Sequence, residues 1–554
     1  MVEQNKQNCY EYFLECIRTD YGDLDYDAVK QFGHRIRRSE FVRHVDCLSA
    51  YFQKDLGLVR GDVYTVFLPT NIQSFAAFYA LNKLGVIVNF VHPLSPPEVL
   101  AEAMADTKSK GILILDILAA KYIKVINESS TPCLVCSYSD YPGIVKKAGL
   151  RVFELFGALP TRRLKQRCSY RRAIRKYPPC EGLSGNGDDI AVYLHGGGTT
   201  GKSKTIKLTS GAINTVSFEV GKIGGVETPG TDSTIMVLPL FHAFGLCLAM
   251  HVPMCNGACI IPMSQFHPKR FNRLMQKNKI IFLVGIPVMF KKLMREDNFD
   301  GPHLKSLRLL FCGGDDVTEA SLDEFNTCLE KWGSSGRLYR GYGLTEVASV
   351  CSVNTADNFM RHSIGKALNG VRMEIWDENK QPLPPGEVGE IVISGSTAMQ
   401  GYFTLDKPGD EGLYTDSEGT KWVLSGDLGY TDEDGFFYFS GRKKRLIIIS
   451  GYNVYPHDID ARVEELPFIR EVCAAQGYAN GKPLIRLYVS LKDSGRDEEH
   501  KKEIFRHCEA HLPSFSHPRE IVVMDELPRT HMKKIDFMKL TEFAPKPTEE
   551  ETDE

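Results

Sequence analysis

The chain is 554 residues long, room for three or four domain-sized units at about 150 residues each. Charged residues make up 25% and hydrophobic ones 43%, ordinary globular proportions that exclude collagen, coiled coil and wholesale disorder. With 67 basic against 70 acidic side chains the formal charge is −3, too balanced for a dedicated nucleic-acid binder.

In chain order, MVEQNKQNCYEYFLE lacks the basic-then-apolar layout of a signal peptide, and the longest apolar run, Ile280 to Phe290, is half a membrane span. Fifteen cysteines in so long a chain are not needed as disulfides, so a cytoplasmic protein is expected, at most peripheral to a membrane. Residues 61–93 read as strand, helix and strand, with Ile72, Phe75, Ala76 and Tyr79 at helical spacing between two apolar runs. Further short apolar runs at 111–116, 131–137, 189–195, 233–240, 258–263, 280–287 and 307–314 are mostly separated by helix-length polar stretches, which predicts α/β. After about residue 365, VRMEIWD, GEIVISG, KWVLSGD and GFFYFSG are strands joined by turns, a small β lobe. From 441 a further pattern of strands and two helices predicts a smaller α+β C-terminal domain. The expected division is 1–440, 441–543 and an acidic tail at 544–554. One basic stretch, TRRLKQRCSYRRAIRKY (161–177), carries eight Lys or Arg; it reads as a solvated helix face or as an attraction to an anionic membrane surface.

The sharpest local signal is YLHGGGTTGKSKTIKLTS (193–210), a glycine- and threonine-rich loop after an apolar strand, whose N–H groups, hydroxyls and lysines suit phosphate oxygens. Gly196 to Ser203 formally fits the GxxxxGK[ST] loop of nucleotide hydrolases, with Lys202 on the phosphates and Ser203 on magnesium. That motif needs a helix to begin at the Lys-Ser pair. Thr205 to Thr209 alternate like a strand instead, and helix-like sequence begins only near Ser210, so the match is accidental.

The same loop resembles the signature of the adenylate-forming superfamily, which includes acyl-CoA synthetases, peptide-synthetase adenylation domains and luciferases. Lys204 would be the family lysine. His195 stands where a small hydroxyl residue is usual, and Ser203 replaces a proline. The resemblance continues in order through VLPLFHAFG (237–245), GYGLTE (341–346), GEVGEIVISG with GYF (386–403), SGDLGY (425–430), GRKKRLIIISGYNVYPHDID (441–460) and ELPRTHMKKID (526–536). GYGLTE with RKKRLIIISGYNVYP looks closest to medium- and long-chain fatty-acid CoA ligases.

The resemblance implies a large N-terminal α/β part with a small β lobe, a mobile C-terminal domain hinged near Lys444, and ATP-dependent joining of a carboxylate to AMP and then to CoA, with Mg2+. Thr199, Thr200, Gly201 and Lys204 would hold the β- and γ-phosphates, Thr345 the α-phosphate and Glu346 the magnesium. Tyr342 would stack on adenine, with Gly313 and Gly314 lining the base. Asp427 would accept both ribose hydroxyls, and Arg442 would add a cation near ribose and phosphate. Lys534 would be the catalytic lysine of adenylation, and Ser450, Gly451 and Tyr452 would line the path of the CoA arm. His242, Phe244, Val284, Ile286 and Leu344 are the acyl-pocket candidates, and the apolar character of the last four fits a greasy or an aryl tail. His242 near the place of the aspartate of amino-acid-activating relatives favours an uncharged acid. The alternatives are loading of an acyl-carrier protein, a non-catalytic acyl-nucleotide-binding regulator, suggested by His195 and Ser203, and a P-loop hydrolase.

Overall fold

The computed structural model describes residues 6–542 apart from 142–160, 179–181, 183, 197–203, 225, 316, 404–411, 450–451, 480–481, 494 and 530–534. The chain divides into two compact units, one made of Met1–Gly196, Ser203–Met373 and Ile393–Val423, the other including Glu374–Val392 and Leu424–Glu554.

The first unit is built on two sheets. Strands Val63–Phe67, Ile87–Phe90, Ile112–Leu115, Cys133–Cys136, Arg167–Ser169 and Ile190–Gly196 run parallel, as βαβ sequence dictates; Lys204–Thr209 adds an antiparallel strand beside Ile190–Gly196, and Tyr402–Phe403 pairs antiparallel with Lys204–Thr209 at the sheet edge. The second sheet centres on parallel strands Asp232–Met236, Cys259–Pro262, Lys279–Gly285, Leu309–Cys312 and Arg337–Tyr342. Every strand and helix named from the apolar runs forms, with strand ends shorter than the runs where prolines and glycines take over.

The helix Ile72–Lys83 is buried on all sides, not on one face. Its polar residues are therefore partnered. Asn71 and Ser74 form a capping box. Asn82 accepts from the Cys9 amide at 2.6 Å and donates to the Ser210 hydroxyl. The Lys83 ammonium, 4% exposed, lies 2.7 Å from an Asp46 carboxylate oxygen and over the Tyr10 ring. An unpaired charge at such depth would cost several kcal/mol, on the order of 3–5.

Cys133 and Cys136 form a C-x-x-C pair, but inside a strand residues three apart point to opposite faces, and both thiols are buried. Burial pushes the Cys133 thiol up to about 12 and Cys136 up as well, so these are core thiols rather than a metal or redox pair.

In the basic stretch, Arg167–Ser169 is an edge strand and Tyr170–Lys176 a short helix burying Tyr170, Ala173 and Ile174. All eight basic residues are exposed. Arg171 bonds the Ser139 carbonyl and Lys176 pairs with Asp55.

The second unit contains a three-stranded sheet, Ile469–Ala479, Lys482–Leu491 and Glu520–Val523. Helices Pro456–Glu464 and Asp497–His511 bury Ile459, Val463, Ile504 and Cys508 in one core with Ile485 and Leu487. The five-stranded sheet formed by Val371–Trp376, Gly389–Gly395, Leu413–Thr415, Lys421–Thr431 and Phe437–Arg442 is the β lobe, and the division between the units runs through three of its strands.

Candidate active site

Parallel strands deliver their C-terminal ends to one edge of a sheet, and loops there converge on ligands. In the first unit Lys279–Gly285, Leu309–Cys312 and Arg337–Tyr342 end together. The Gly313 amide donates to the Gly285 carbonyl at 3.2 Å. Gly314 has φ +79°; a β-carbon there would come within 3.5 Å of Ile286 and 3.7 Å of the Phe244 ring, and one on Gly313 within 3.0 Å of the Gly341 carbonyl. Thus Phe244, Ile286, Gly313 and Gly314 meet, as expected for a slot with an apolar wall and bare backbone. Val284 is buried two residues before Ile286, opposite Phe311 on the neighbouring strand.

His242 is half-buried, its ring 4.8 Å from Phe241, which lies 4.5 Å from His92. His92 was not among the sequence candidates. Burial lowers its pKa, and its Nδ1 accepts from the Leu94 amide.

After Tyr342 the chain makes a tight turn. The Leu344 carbonyl accepts from the amides of Val347 and Ser349, and Thr345–Val347 form one turn of 3-10 helix. A β-carbon on Gly343 would fall 1.8 Å from the Ser349 carbonyl, so only glycine fits. Ala348 and Ser349 both take positive φ, 54° and 102°, a cost of about 1–3 kcal/mol per residue. The turn leaves Tyr342, Thr345 and Glu346 half-buried.

Glu346 is held from two sides. Its carbonyl accepts from the Met399 amide at 2.8 Å, and its Oε1 accepts from the Tyr402 hydroxyl at 3.0 Å. Tyr402 pairs with Ile206 in the strand that follows the glycine-rich loop, and the Lys204 ammonium sits 4.7 Å from the Tyr402 ring centre. A lysine, a phenol and a carboxylate, drawn from three distant stretches, form a row where the loop returns to the sheet. Tyr402 is the residue that sequence reasoning passed over, although it lies in the GYF segment. Thr199, Thr200 and Gly201 lie outside the described residues.

The strand Lys204–Thr209 leads directly into helix Ser210–Gly221, capped by the Thr209 hydroxyl. A nucleotide-hydrolase loop would need that helix at Lys202–Ser203, so the accidental match is discarded.

In the second unit Asp427 and Arg442 face each other across antiparallel strands, Oδ1 to Nη1 at 2.8 Å. The Asp427 side chain is 2% exposed and that of Arg442 55%, so the guanidinium covers the carboxylate. Glu390 accepts from the Gly426 amide at 3.0 Å and pairs with Lys443 at 2.8 Å. Lys444 is exposed in the short turn Lys443–Arg445, whose Arg445 is anchored to Asp460 and to the Ala474 carbonyl. Tyr452 begins the strand Tyr452–Val454. Ser450, Gly451 and Lys534 lie outside the described residues; an Arg529–Ile535 bridge closes the base of the segment carrying Lys534.

Residues 20–403 match the AMP-binding enzyme family, and 458–534 match the AMP-binding enzyme C-terminal domain. The chain belongs to the AMP-binding enzyme family. Within that family it is 28% identical over 530 residues to a long-chain-fatty-acid–CoA ligase of Salmonella typhimurium, covering 92% of this chain and 90% of the relative. It is also 28% identical over 546 residues to a protein of the same name from Bacillus subtilis, covering 94% and 93%. The crystal structure of ATP-bound MatB from Rhodopseudomonas palustris shares the fold, with TM-score 0.79 at 20% identity over 97% of this chain and 99% of that one.

Proposed function

We propose that this AMP-binding enzyme is an acid–thiol ligase that activates a fatty acid with ATP and passes the acyl group to CoA. The observation that carries the proposal is the convergence of Lys204, Tyr402 and Glu346 at the mouth of the glycine-rich loop. The relatives' name supplies the substrate class.

In the first half-reaction a carboxylate oxygen attacks the α-phosphorus and the bond to pyrophosphate breaks. Two anions must approach in line, so cations and donors placed in advance lower the barrier. Lys204, with Thr199, Thr200 and Gly201, holds the β- and γ-phosphates; Thr345 donates to the α-phosphate; Lys534 neutralises the charge developing there. Tyr342 stacks on adenine beside Gly313 and Gly314. Asp427 takes the ribose hydroxyls, with Arg442 as its counter-ion. Among the described residues no cluster of three or more His, Cys, Asp or Glu could hold a metal, but Glu346 alone fits magnesium, which commonly binds one or two carboxylates and completes its shell with phosphate oxygens and water. Bound there, the ion would neutralise phosphate charge. In the second half-reaction the CoA sulfur attacks the acyl carbon and AMP leaves, with the C-terminal part turned about Lys444 and the arm passing Ser450, Gly451 and Tyr452. His242, Phe244, Val284, Ile286 and Leu344 line the acyl side. The enzyme works in the cytoplasm, touching anionic membrane through 161–177; among the described residues no helix is long and apolar enough to cross a membrane.

A carboxylic-acid panel scored for pyrophosphate release, with and without CoA, tests this. Acid-dependent pyrophosphate and CoA-dependent thioester are expected. Thioester on a carrier protein only, nucleotide binding without pyrophosphate, or phosphate release without acid would each overturn it.

A further inference from the structure

His195, the departure in the glycine-rich signature, is bonded on both ring nitrogens. Its Nε2 lies 2.7 Å from Asn89 Oδ1 and its Nδ1 3.0 Å from Thr205 Oγ1. The protons can be placed one by one. The Asn89 amide nitrogen faces the Ala103 carbonyl at 3.3 Å, which can only accept, as well as the hydroxyls of Thr65 and Thr107. Asn89 Oδ1 is therefore the atom turned to His195, and since it only accepts, His195 carries its proton on Nε2. Burial pushes the histidine down to about 4, so the ring is neutral and Nδ1 accepts the Thr205 hydroxyl proton. The chain of bonds continues through Thr65 to Ser109 and the Gly111 carbonyl, and Asn89 and Thr65 are fully buried.

His195 and Thr205 are directly opposite one another in the antiparallel pair, one rung below Gly196 and Lys204, where the glycine-rich segment leaves and rejoins the sheet. Strand alternation puts Thr205 and Lys204 on opposite faces. Fixing Thr205 to the His195 face, with Phe403 against Tyr193 beside it, therefore commits Lys204 to the face of Tyr402 and Glu346.

We propose that His195 is a positioning residue for nucleotide binding: with Asn89 and Thr205 it clasps the base of the glycine-rich segment and fixes the direction of Lys204. This rests on the proposed function only in taking Lys204 as a phosphate ligand. A serine or threonine could not span from Asn89 to Thr205; the imidazole, with a donor on one side and an acceptor on the other, does.

The test is ATP affinity of the full chain by calorimetry with Mg2+ and no acid, for Thr205→Val, His195→Leu and His195→Gln, with melting temperature recorded alongside. Loss of a buried hydrogen bond corresponds to about tenfold weaker ATP binding in Thr205→Val and His195→Leu. His195→Gln, which keeps a donor and an acceptor, should restore affinity to within about threefold of the parent. The acid KM should not move. ATP binding within about twofold of the parent in Thr205→Val would overturn the clasp, as would a lowered melting temperature with unchanged affinity, the mark of a purely structural residue. If His195→Leu does not fold, Thr205→Val decides alone, since it removes one oxygen from a half-buried side chain. A parent that binds ATP but releases no pyrophosphate with any acid overturns the proposed function and leaves the clasp to be scored by affinity; a parent that does not bind ATP overturns both.

Discussion

Two lysines close the glycine-rich segment, and the second, Lys204, begins a strand. Lys204 is set over Tyr402, whose hydroxyl donates to Glu346, and in the proposed function this row is where phosphate charge is met. Lys204→Ala should lower acid-dependent pyrophosphate release by on the order of a hundredfold, as removal of a donor to developing charge does, and Lys202→Ala by much less. Equal losses, or the reverse order, measured by pyrophosphate release, would return the segment to a nucleotide-hydrolase reading. Lys204, Thr345 and Glu346 were picked out because each sits in a short motif with its own spacing, and folding brings Lys204 and Glu346 to the same tyrosine. Tyr402 was not, because its meaning comes from pairing with Ile206 far back in the chain. His195 stood out only as a departure, since both of its partners are brought by folding, Asn89 from a strand 106 residues away.

Strands were the most readable elements. Apolar runs such as ILIL and CLVC can satisfy neither a solvent-facing helix nor a loop, and they became fully buried strands. The helix Ile72–Lys83 was legible from its spacing, but its burial all round was not, because that depends on partners such as Asp46 and Ser210. The basic stretch, read as a solvated helix face or a membrane-surface contact, holds an edge strand followed by a two-turn helix. Arg162, Arg163, Arg172 and Arg175 are exposed on it. Each basic residue near an anionic surface contributes about 1 kcal/mol, so the chain should co-sediment with phosphatidylglycerol vesicles at low salt, and neutralising these four arginines should abolish it. Added salt should release it in the same way. Sedimentation that is absent at low salt, or indifferent to the four changes, would leave the stretch a solvated face.

At the scale of the whole molecule, the two half-reactions of the proposed function would ask one chain to serve two arrangements, with Lys444 as the proposed hinge. Arg445 is bonded to Asp460 and the Ala474 carbonyl, Arg442 pairs with Asp427 and Lys443 with Glu390, and Lys444 lies between these anchored neighbours. Lys444→Pro, which fixes φ near −65°, should form acyl-AMP at close to the parent rate yet make thioester at least about tenfold more slowly. Unchanged thioester formation from supplied acyl-AMP would place the hinge elsewhere. Stability should also depend on pH. Burial lowers His44 and His195 to about 4 and His251 to about 3, below the unfolded value of 6.5. The folded state therefore binds fewer protons, and stability that is complete above pH 6.5 is lost as pH falls towards 4. Each histidine should account for roughly 1–2 kcal/mol by pH 5. Asp140, raised to about 6 by burial, works the other way and offsets about one of them. Urea midpoints should fall between pH 7 and pH 5, and His251→Gln should flatten the trend; a flat parent curve would contradict it. The buried Lys83 has a use of its own. An amine-directed acylating reagent meets the surface lysines at once but reaches Lys83 only when the helix Ile72–Lys83 parts from its surroundings, since every residue of that helix is covered. Peptide mapping of that single acylation turns the Lys83–Asp46 pair into a clock for the opening of the N-terminal core.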